Sequence, residues 1–350
     1  MKLTTEQDIE EILVSNIISL KKLSGKNVLL TGAAGFLGRY FLETFRKFNE
    51  TNPPIKIVAL DNHITSLQNS ESFRITDRNI EWIYGDAKIG AELPNRFDYI
   101  IHSAGIASPA HYRAKPLETV YVAVDVTRLL LEKARKDNAR MLFFSSSEIY
   151  GDPDSSNIPT NEDYRGNVTS RGPRACYDES KRLGETLCYI YQTEFSTHVS
   201  VVRPFNVYGP GMLPTDFRVL PNFANAIYNN EEIRVYGSGN QTRTFCYITD
   251  AISAFLQILT LVTEPDVFNV GNPSPEISMN DLAKIAKQVV GYKGSAVTTH
   301  YPATYPADEP NRRCPDISKI TNVIGFKPKV ELEDGLKRFF NWTQNNYGKL

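Results

Sequence analysis

Two side chains that can share a proton stand four residues apart near the middle of the chain. Tyr177 and Lys181 lie in the string Tyr-Asp-Glu-Ser-Lys, and residues at i and i+4 of a helix are neighbours on one face. A cation beside a phenol lowers the pKa of the phenol, so Tyr177 could act as a base toward a hydroxyl group. Because this spacing is common by chance, its weight depends on the residues around it.

Hydroxyl groups that could join this pair follow an apolar run upstream. The string Phe143 to Gly151 begins as a strand and becomes polar at its serines. Ligands of open parallel sheets bind at the carboxyl edge, where these hydroxyls would emerge. We predict that Ser146 hydrogen-bonds the reacting oxygen and forms a proton-transfer set with Tyr177 and Lys181.

A glycine-rich string lies at the other end of the predicted site. Thr31 to Gly38 follows the first apolar run directly, opens a helical pattern and has a GxxGxxG spacing. Glycines there permit a tight turn and let backbone amides approach a pyrophosphate, which the helix N-terminus also attracts. We therefore predict a dinucleotide site. Its backbone contacts are expected from Gly32, Ala34, Gly35, Phe36, Leu37 and Gly38.

A carboxylate at the end of the second predicted strand selects the dinucleotide. Asp61 could accept hydrogen bonds from both ribose hydroxyls and would repel a 2′-phosphate, which favours NAD over NADP. Asn62 is a secondary neighbour, and Ala104 completes the expected cofactor contacts. Asp86 could receive the adenine amino group, although an ordinary loop aspartate is nearly as good an interpretation.

These residues require a scaffold of alternating strands and helices. Short apolar runs separated by amphipathic segments are typical of a parallel sheet covered on both faces. We predict an α/β fold, a Rossmann-type doubly wound parallel sheet with a smaller C-terminal α/β lobe. The expected strands lie at 28–30, 55–60, 82–84, 99–101 and 141–144, and the later helices near 220–229, 278–290 and 332–345.

The domain limits follow from a change of amino-acid composition after Val202, where Pro, Gly and Asn become more frequent. We expect an N-terminal helical extension over 1–25, with one helix across 5–22. The NAD-binding domain is predicted at 26–203 plus about 247–272. The remaining segments, about 204–246 plus 273–350, are predicted to form the substrate-binding lobe.

Composition excludes several classes of partner. The 39 Lys and Arg residues balance 40 Asp and Glu residues, so no positive field would collect nucleic acid or a membrane. The four cysteines show no CxxC pairing or metal spacing, which predicts reduced thiols and no metal site. No apolar run is long enough to span a bilayer, and the acidic start lacks a signal-peptide pattern. We expect a cytoplasmic enzyme.

Several strings around the predicted site resemble one enzyme family. The glycine loop, the Ser-Tyr-Lys set and the length are similar to the extended short-chain dehydrogenase/reductases over 26–348. Within that epimerase/dehydratase family, the similarity is closest to the UDP-glucuronate decarboxylases, which make UDP-xylose. The strings responsible are Ala107 to Tyr112, Glu162 to Asn167, Gly172 to Arg182, Gln241 to Phe245 and Arg312 to Ile317.

The resemblance implies a reaction that begins with oxidation at C4 of a UDP-linked sugar. Tyr177 would take the hydroxyl proton while NAD takes the hydride, and the resulting 4-keto acid would lose CO2 before NADH reduces the ketone. The pair Ser147-Glu148 is the pattern of decarboxylases, with both residues in the catalytic set. A 4-epimerase or 4,6-dehydratase shares the oxidation step and remains the alternative. A non-catalytic NAD-binding regulator is less favoured because Ser146, Tyr177 and Lys181 are all present.

The family pattern also implies substrate contacts in the second lobe. Arg313 resembles an arginine near the reacting sugar, and Glu148 would orient the sugar or water, or repel the bound carboxylate. Asn206 and Arg243 are expected at the diphosphate. Further substrate candidates are Tyr112, Arg218 and Tyr236.

Two positions depart from the decarboxylase pattern, and the partner surface is implied by the family alone. Gly211 and Phe217 stand where relatives have Arg and Gly, which suggests a different sugar substituent or nucleotide. The predicted helices at about 117–135 and 176–194 resemble those that pair in family dimers. We expect a homodimer.

Overall fold

A computed structural model describes residues 3–65, 74–301 and 310–349. Its main sheet has seven strands, all paired in parallel, which confirms the predicted fold class. In chain order, the strands of the molecule are β1 Asn27–Thr31, β2 Lys56–Asp61, β3 Ile80–Tyr84, β4 Tyr99–His102, β5 Arg140–Phe144, β6 Val199–Pro204, β7 Val207–Tyr208, β8 Ile233–Tyr236, β9 Thr242–Arg243, β10 Cys246–Tyr247, β11 Val267–Val270, β12 Ile277–Ser278, β13 Ala296–Thr299 and β14 Arg312–Arg313.

The order across the main sheet is β11-β6-β5-β4-β1-β2-β3. The direction of the strand order changes between β1 and β4, so loops leave the sheet edge there in opposite directions and open a crevice. The α-helices are α1 Glu6–Ser15, α2 Ile17–Leu23, α3 Phe36–Asn49, α4 Ile89–Glu92, α5 Pro109–Ala114, α6 Pro116–Tyr121, α7 Thr127–Asp137, α8 Ala175–Phe195, α9 Val219–Tyr228, α10 Ile248–Leu261, α11 Met279–Val290, α12 Ser318–Ile324 and α13 Leu332–Asn346.

Helices cover both faces of the main sheet. On one face, α3 and α10 bury Phe41 and Phe255 in a core that includes Phe144 of β5. On the other face, α7 and α8 contribute Leu130 and Cys188 to a separate core. Strands buried on both faces explain why their sequences are almost continuously apolar.

The second lobe consists of three small sheets and the helices around them. The sheets pair β7 with β10, β8 with β13, and β9 with both β12 and β14. Helices α9, α11 and α13 bury apolar faces against them. The three helices predicted near 220–229, 278–290 and 332–345 are confirmed as α9, α11 and α13. No helix in the described parts of the chain is long and apolar enough to cross a membrane.

The N-terminal segment forms two helices where one was predicted. The two helices are separated at Asn16. The Asn16 side chain donates a hydrogen bond to Ser253 Oγ of α10. The buried carboxylate of Asp8 accepts hydrogen bonds from Tyr40 of α3 and Tyr247 of β10. The N-terminal segment therefore contacts both α3, which covers the main sheet, and β10 of the second lobe.

The predicted helix over 117–135 is also interrupted. Residues Val122–Val126 form a π-helical segment between α6 and α7. At this level a Cβ on Gly184 of α8 would meet Ala123 O at 2.8 Å, so the two helical segments approach unusually closely. The backbone adapts to that close contact, which periodicity in the sequence does not reveal.

Candidate active site

The glycine loop joins β1 to α3 in a conformation that side chains would prevent. Gly32 has a φ of +73°, and a Cβ there would lie 2.6 Å from Ala104 N, while a Cβ on Gly38 would collide with Gly32 O. Gly35 caps α3, so the first amides of that helix face the crevice. The bare backbone and the helix N-terminus fit the pyrophosphate of a dinucleotide.

The expected ribose carboxylate lies against this loop. Asp61 Oδ2 accepts from Ala34 N at 2.9 Å, and its Oδ1 accepts from His63 N at 2.7 Å. These bonds fix the carboxylate at the end of β2 and leave acceptor capacity for two hydroxyls. Asn62 instead caps its own turn through Ile64 N.

Asp86 lies one strand further from the glycine loop. Its Oδ1 accepts from Lys88 N at 2.9 Å and from the Tyr121 hydroxyl at 3.3 Å. These contacts account for the carboxylate as a loop-forming group, the simpler of the two interpretations weighed from the sequence. Its adenine contact remains a prediction.

A cleft connects the glycine loop to the predicted catalytic residues. Asp61 accepts a hydrogen bond from Ala34 in the wall of this cleft, and the backbone of Ala104 lies against Gly32 in the same wall. Of the residues predicted from the sequence, those lining the cleft are Gly32, Ala34, Gly35, Phe36, Leu37, Gly38, Ser146, Ser147, Glu148, Tyr177, Lys181, Asn206 and Arg218.

The Ser-Tyr-Lys set assembles where β5 ends and α8 passes. Lys181 Nζ donates to Phe144 O at 2.7 Å and lies 5.9 Å from the centre of the Tyr177 ring. Burial lowers the pKa of Lys181 to about 8. Tyr112 stacks on Tyr177 with ring centres 5.2 Å apart, so it fixes the plane of the phenol.

The protein groups around Tyr177 shift its pKa in both directions. Burial raises the pKa of Tyr177, whereas the hydrogen bond with Ser146 and the charges of Arg218 and Arg174 lower it. Burial outweighs them, so the protein groups alone do not bring the phenol to a low pKa, and the positive nicotinamide ring of bound NAD would have to lower it further. Lys181, whose ammonium is itself desolvated, is not among the main contributors.

Two arginines meet at Glu148. Arg313 makes a paired contact, with Nη1 to Oε1 at 2.6 Å and Nη2 to Oε2 at 2.7 Å. Arg174 Nη2 also donates to Glu148 Oε2. Glu148 therefore neutralises and orients two guanidiniums, so the structure gives no support to the idea that it acts as an isolated negative charge toward a carboxylate.

Arg174 was not among the residues predicted to bind substrate. It lies at the start of α8, three residues before Tyr177, and its side chain is 7% exposed while lining the second cavity described below. Asp178, one helical turn further along, lies 3.4 Å from Arg174 Nε. The sequence signal was present, since Arg174 belongs to the string Gly172 to Arg182, but its contact with Glu148 was not visible there.

A second cavity extends from Glu148 into the second lobe. Arg243 is held by the carbonyls of Thr242 and Pro310, each at 2.7 Å. Asn206, with a φ of +42°, donates to Thr244 O and lines both cavities. The predicted substrate residues around this cavity are Tyr112, Glu148, Asn206, Arg218, Tyr236, Arg243 and Arg313.

The structure explains why position 211 is a glycine. Its φ is +95°, and a Cβ would lie 2.5 Å from Leu3 O of the N-terminal segment. An arginine cannot replace it without displacing that segment, so packing explains this departure from the family pattern. Phe217 differs, because it is 52% exposed, borders the second cavity and packs edge-on against His111.

Within the described parts of the chain, no cluster of His, Cys, Asp or Glu could hold a metal ion. The site therefore consists of a backbone cradle, a proton-transfer set and a pair of guanidiniums around one carboxylate. This arrangement can bind a dinucleotide beside an anionic substrate and exchange a proton with a hydroxyl.

Comparison with known sequences identifies a family model and several related enzymes. The family model described as NAD dependent epimerase/dehydratase family matches residues 28–271. UDP-glucuronic acid decarboxylase 1 of Xenopus tropicalis is 35% identical over 339 residues, which cover 96% of this chain and 77% of the relative. UDP-glucuronic acid decarboxylase 6 of Arabidopsis thaliana is 35% identical over 313 residues, covering 89% and 87% respectively.

Comparison with solved structures gives the same fold. UDP-glucose 4-epimerase of Thermotoga maritima has a TM-score of 0.79 at 24% identity, covering 91% of this chain and 99% of that one. A UDP-glucuronic acid 4-epimerase mutant of Bacillus cereus, crystallised with a fluorinated UDP-glucuronic acid and NAD, has a TM-score of 0.77 at 24% identity. It covers 92% of this chain and 100% of that one.

Proposed function

The chain belongs to the NAD dependent epimerase/dehydratase family, and we propose that it converts UDP-glucuronate to UDP-xylose. It is an NAD-dependent enzyme, and its curated relatives named above are UDP-glucuronic acid decarboxylases. When bound, NAD supplies the oxidation at C4 and the later reduction of the ketone.

Tyr177 moves the proton in both directions of the cycle. It accepts the proton of the C4 hydroxyl while Ser146 hydrogen-bonds the same oxygen, and it returns the proton when the ketone is reduced. Oxidation at C4 places the sugar carboxylate β to a carbonyl. When CO2 leaves, the electron pair of the broken C5–C6 bond stays on the sugar and is delocalised onto the C4 oxygen as an enolate. Protonation at C5 then restores the tetrahedral carbon.

The observation that carries the proposal is the pair of guanidiniums at Glu148. Arg174 and Arg313 line the cavity beside the proton-transfer set, where a uronate carboxylate would meet them. Because Glu148 already balances part of their charge, the substrate carboxylate would be oriented without being fully neutralised. That balance favours CO2 loss, since a fully paired carboxylate is stabilised before its bond breaks.

The nucleotide is proposed to occupy the second lobe. Arg243 would contact the diphosphate, for which a guanidinium provides paired hydrogen bonds. Asn206 lies between the two cavities, and Tyr236 borders the far end beside Tyr301. This direction places the sugar at Glu148 and the nucleotide in the second cavity.

Product analysis tests the proposal directly. Purified protein is incubated with NAD and UDP-glucuronate, and the products are examined by mass spectrometry. We expect a UDP-pentose and the loss of the mass of CO2. A UDP-hexuronate of unchanged mass but altered configuration would instead indicate a 4-epimerase, and turnover of dTDP-glucose with loss of water would indicate a 4,6-dehydratase.

We also propose that the chain forms a homodimer through α6 and α8. These helices pack together and expose apolar side chains, including Leu117, Leu183 and Tyr189, which are 80%, 47% and 64% exposed. Leu183 and Tyr189 line one surface groove with Val120. Leu183→Arg should shift the sedimentation coefficient to that of a monomer. The matched change at Val14, an exposed residue of α1, should leave it unchanged.

A further inference from the structure

Arg39 follows the glycine loop and lies in the wall of the cofactor cleft. The residue is only 8% exposed. One end of the guanidinium donates to Ala34 O in the glycine loop. Nη2 donates to Gly211 O at 2.8 Å, in the second lobe. A single side chain thus joins the two walls between which the dinucleotide would lie.

The segment 211–218, which Arg39 contacts through Gly211, borders the cofactor cleft. After Gly211, residues Met212, Leu213, Thr215, Asp216 and Arg218 line the same cleft as the glycine loop. The next residue of α3 reinforces the contact, because the Tyr40 hydroxyl lies 3.0 Å from Pro210 O and shares its one proton between that carbonyl and Asp8. Two consecutive residues of α3 therefore bind two consecutive carbonyls of the second lobe.

We infer that Arg39 is a positioning residue that retains the dinucleotide by holding the segment 211–218 against the glycine loop. The guanidinium also places a positive charge in the wall beside the expected pyrophosphate site, and Asp61 is one of its charged neighbours. The bonds to two carbonyls orient that charge, and the surrounding protein shields it from solvent.

Retention has a consequence that rests on the proposed function. Oxidation and reduction in one catalytic cycle need the same cofactor molecule, so an enzyme that loses NADH after CO2 loss releases an unreduced 4-keto pentose. Arg39 would thereby control how often a turnover ends in UDP-xylose. Cofactor retention itself can be measured without any sugar nucleotide, which separates this inference from the choice of substrate.

The experiment compares Arg39→Met with Arg46→Met. Arg46 lies on the same helix but forms ion pairs with Glu43 and Glu50 at the surface, so it controls for losing an arginine from α3. NAD affinity is measured by equilibrium dialysis without substrate, and folding by circular dichroism. Because Arg39 holds the two walls of the cleft together, Arg39→Met should weaken NAD binding about tenfold or more.

Arg39→Lys serves as a second variant that keeps the charge and can reach one carbonyl. It should bind NAD with intermediate affinity and should fold if Arg39→Met does not. With UDP-glucuronate, both Arg39 variants should release a larger fraction of 4-keto product per turnover. Wild-type NAD affinity in the Arg39 variants, or equal losses in the Arg46 variant, would overturn the inference.

Discussion

The cofactor cradle and the guanidinium pair use opposite means of binding anions. The cradle lies within Thr31 to Gly38 and acts through backbone amides made accessible by glycines. The guanidinium pair depends on the charged side chains of Arg174 and Arg313, brought to Glu148 from 26 and 165 positions away. The cradle should therefore be sensitive to added atoms, and the guanidinium site to lost charges.

The largest effect is expected at Tyr177, which serves both regions. Tyr177→Phe keeps the ring stacked on Tyr112 but removes the group that exchanges the proton. Loss of general acid-base catalysis should lower kcat about a thousandfold, with NAD affinity nearly unchanged. Steady-state kinetics and equilibrium dialysis measure the two quantities. Tyr228→Phe, at an exposed position of α9, is the control, and substantial activity in Tyr177→Phe would exclude Tyr177 as the base.

A methyl group should disable the cradle without removing any charge. Gly38→Ala places a Cβ against Gly32 O, so the loop must shift and NAD affinity should fall about a hundredfold. Gly25→Ala controls for backbone strain alone, because its φ of +74° strains an alanine although no heavy atom lies within 4 Å of the added Cβ. Equal NAD affinities in the two variants would show that the loop relaxes and that close backbone approach is not what binds the cofactor.

Removing a charge should damage the guanidinium site and spare the cradle. Glu148→Gln leaves Arg174 and Arg313 without their shared carboxylate, which should lower turnover of UDP-glucuronate about tenfold or more. NAD affinity should stay within about twofold, as binding there depends on backbone amides. Rapid-quench measurements can show whether CO2 loss slows more than C4 oxidation. An unchanged product rate would limit Glu148 to a structural role.

A separate effect, on stability and not on catalysis, concerns the sheet beneath the cradle. His102 at the end of β4 lies between Thr31 and Thr127, and burial, with Lys181 adding to it, lowers its pKa to about 3. The unfolded chain binds this proton below about pH 6.5, so stability falls as the pH drops from there toward 3.

Between pH 7 and 5, His102 should thereby cost about 2 kcal/mol of unfolding free energy. His102→Gln should show a smaller pH dependence over this range in urea titrations, whatever its stability at pH 7. An identical pH dependence in both proteins would mean that other groups dominate acid unfolding. His102 would then not be the group that sets the acid sensitivity of the main sheet.

The sequence predicted what is local to it. The glycine loop, the strands and the i and i+4 relation of Tyr177 and Lys181 are set by neighbouring residues, so patterns sufficed. Arg174 was missed because its importance depends on contacts with Glu148 and Asp178 across different elements. Arg39 was missed because Gly211 O, its partner, is 172 positions away.

The same limit explains the expectations that the structure changed. The periodic apolar residues of 5–22 do not show that Asn16 bonds Ser253, so the break between the two helices was invisible. The pKa of Tyr177 depends on burial, which spacing does not measure. Gly211 is explained by its packing against Leu3, a residue far from it in the chain, and not by the substrate.

The N-terminal helices have a consequence for the order in which the chain matures during synthesis. Glu11 of α1 pairs with Arg338 of α13 at 2.8 Å, although 327 positions separate them. The first helix leaves the ribosome early but cannot reach this partner until α13 has been translated. A protease site introduced near Asn16 should therefore be cut in ribosome-bound chains and resist cleavage in released ones.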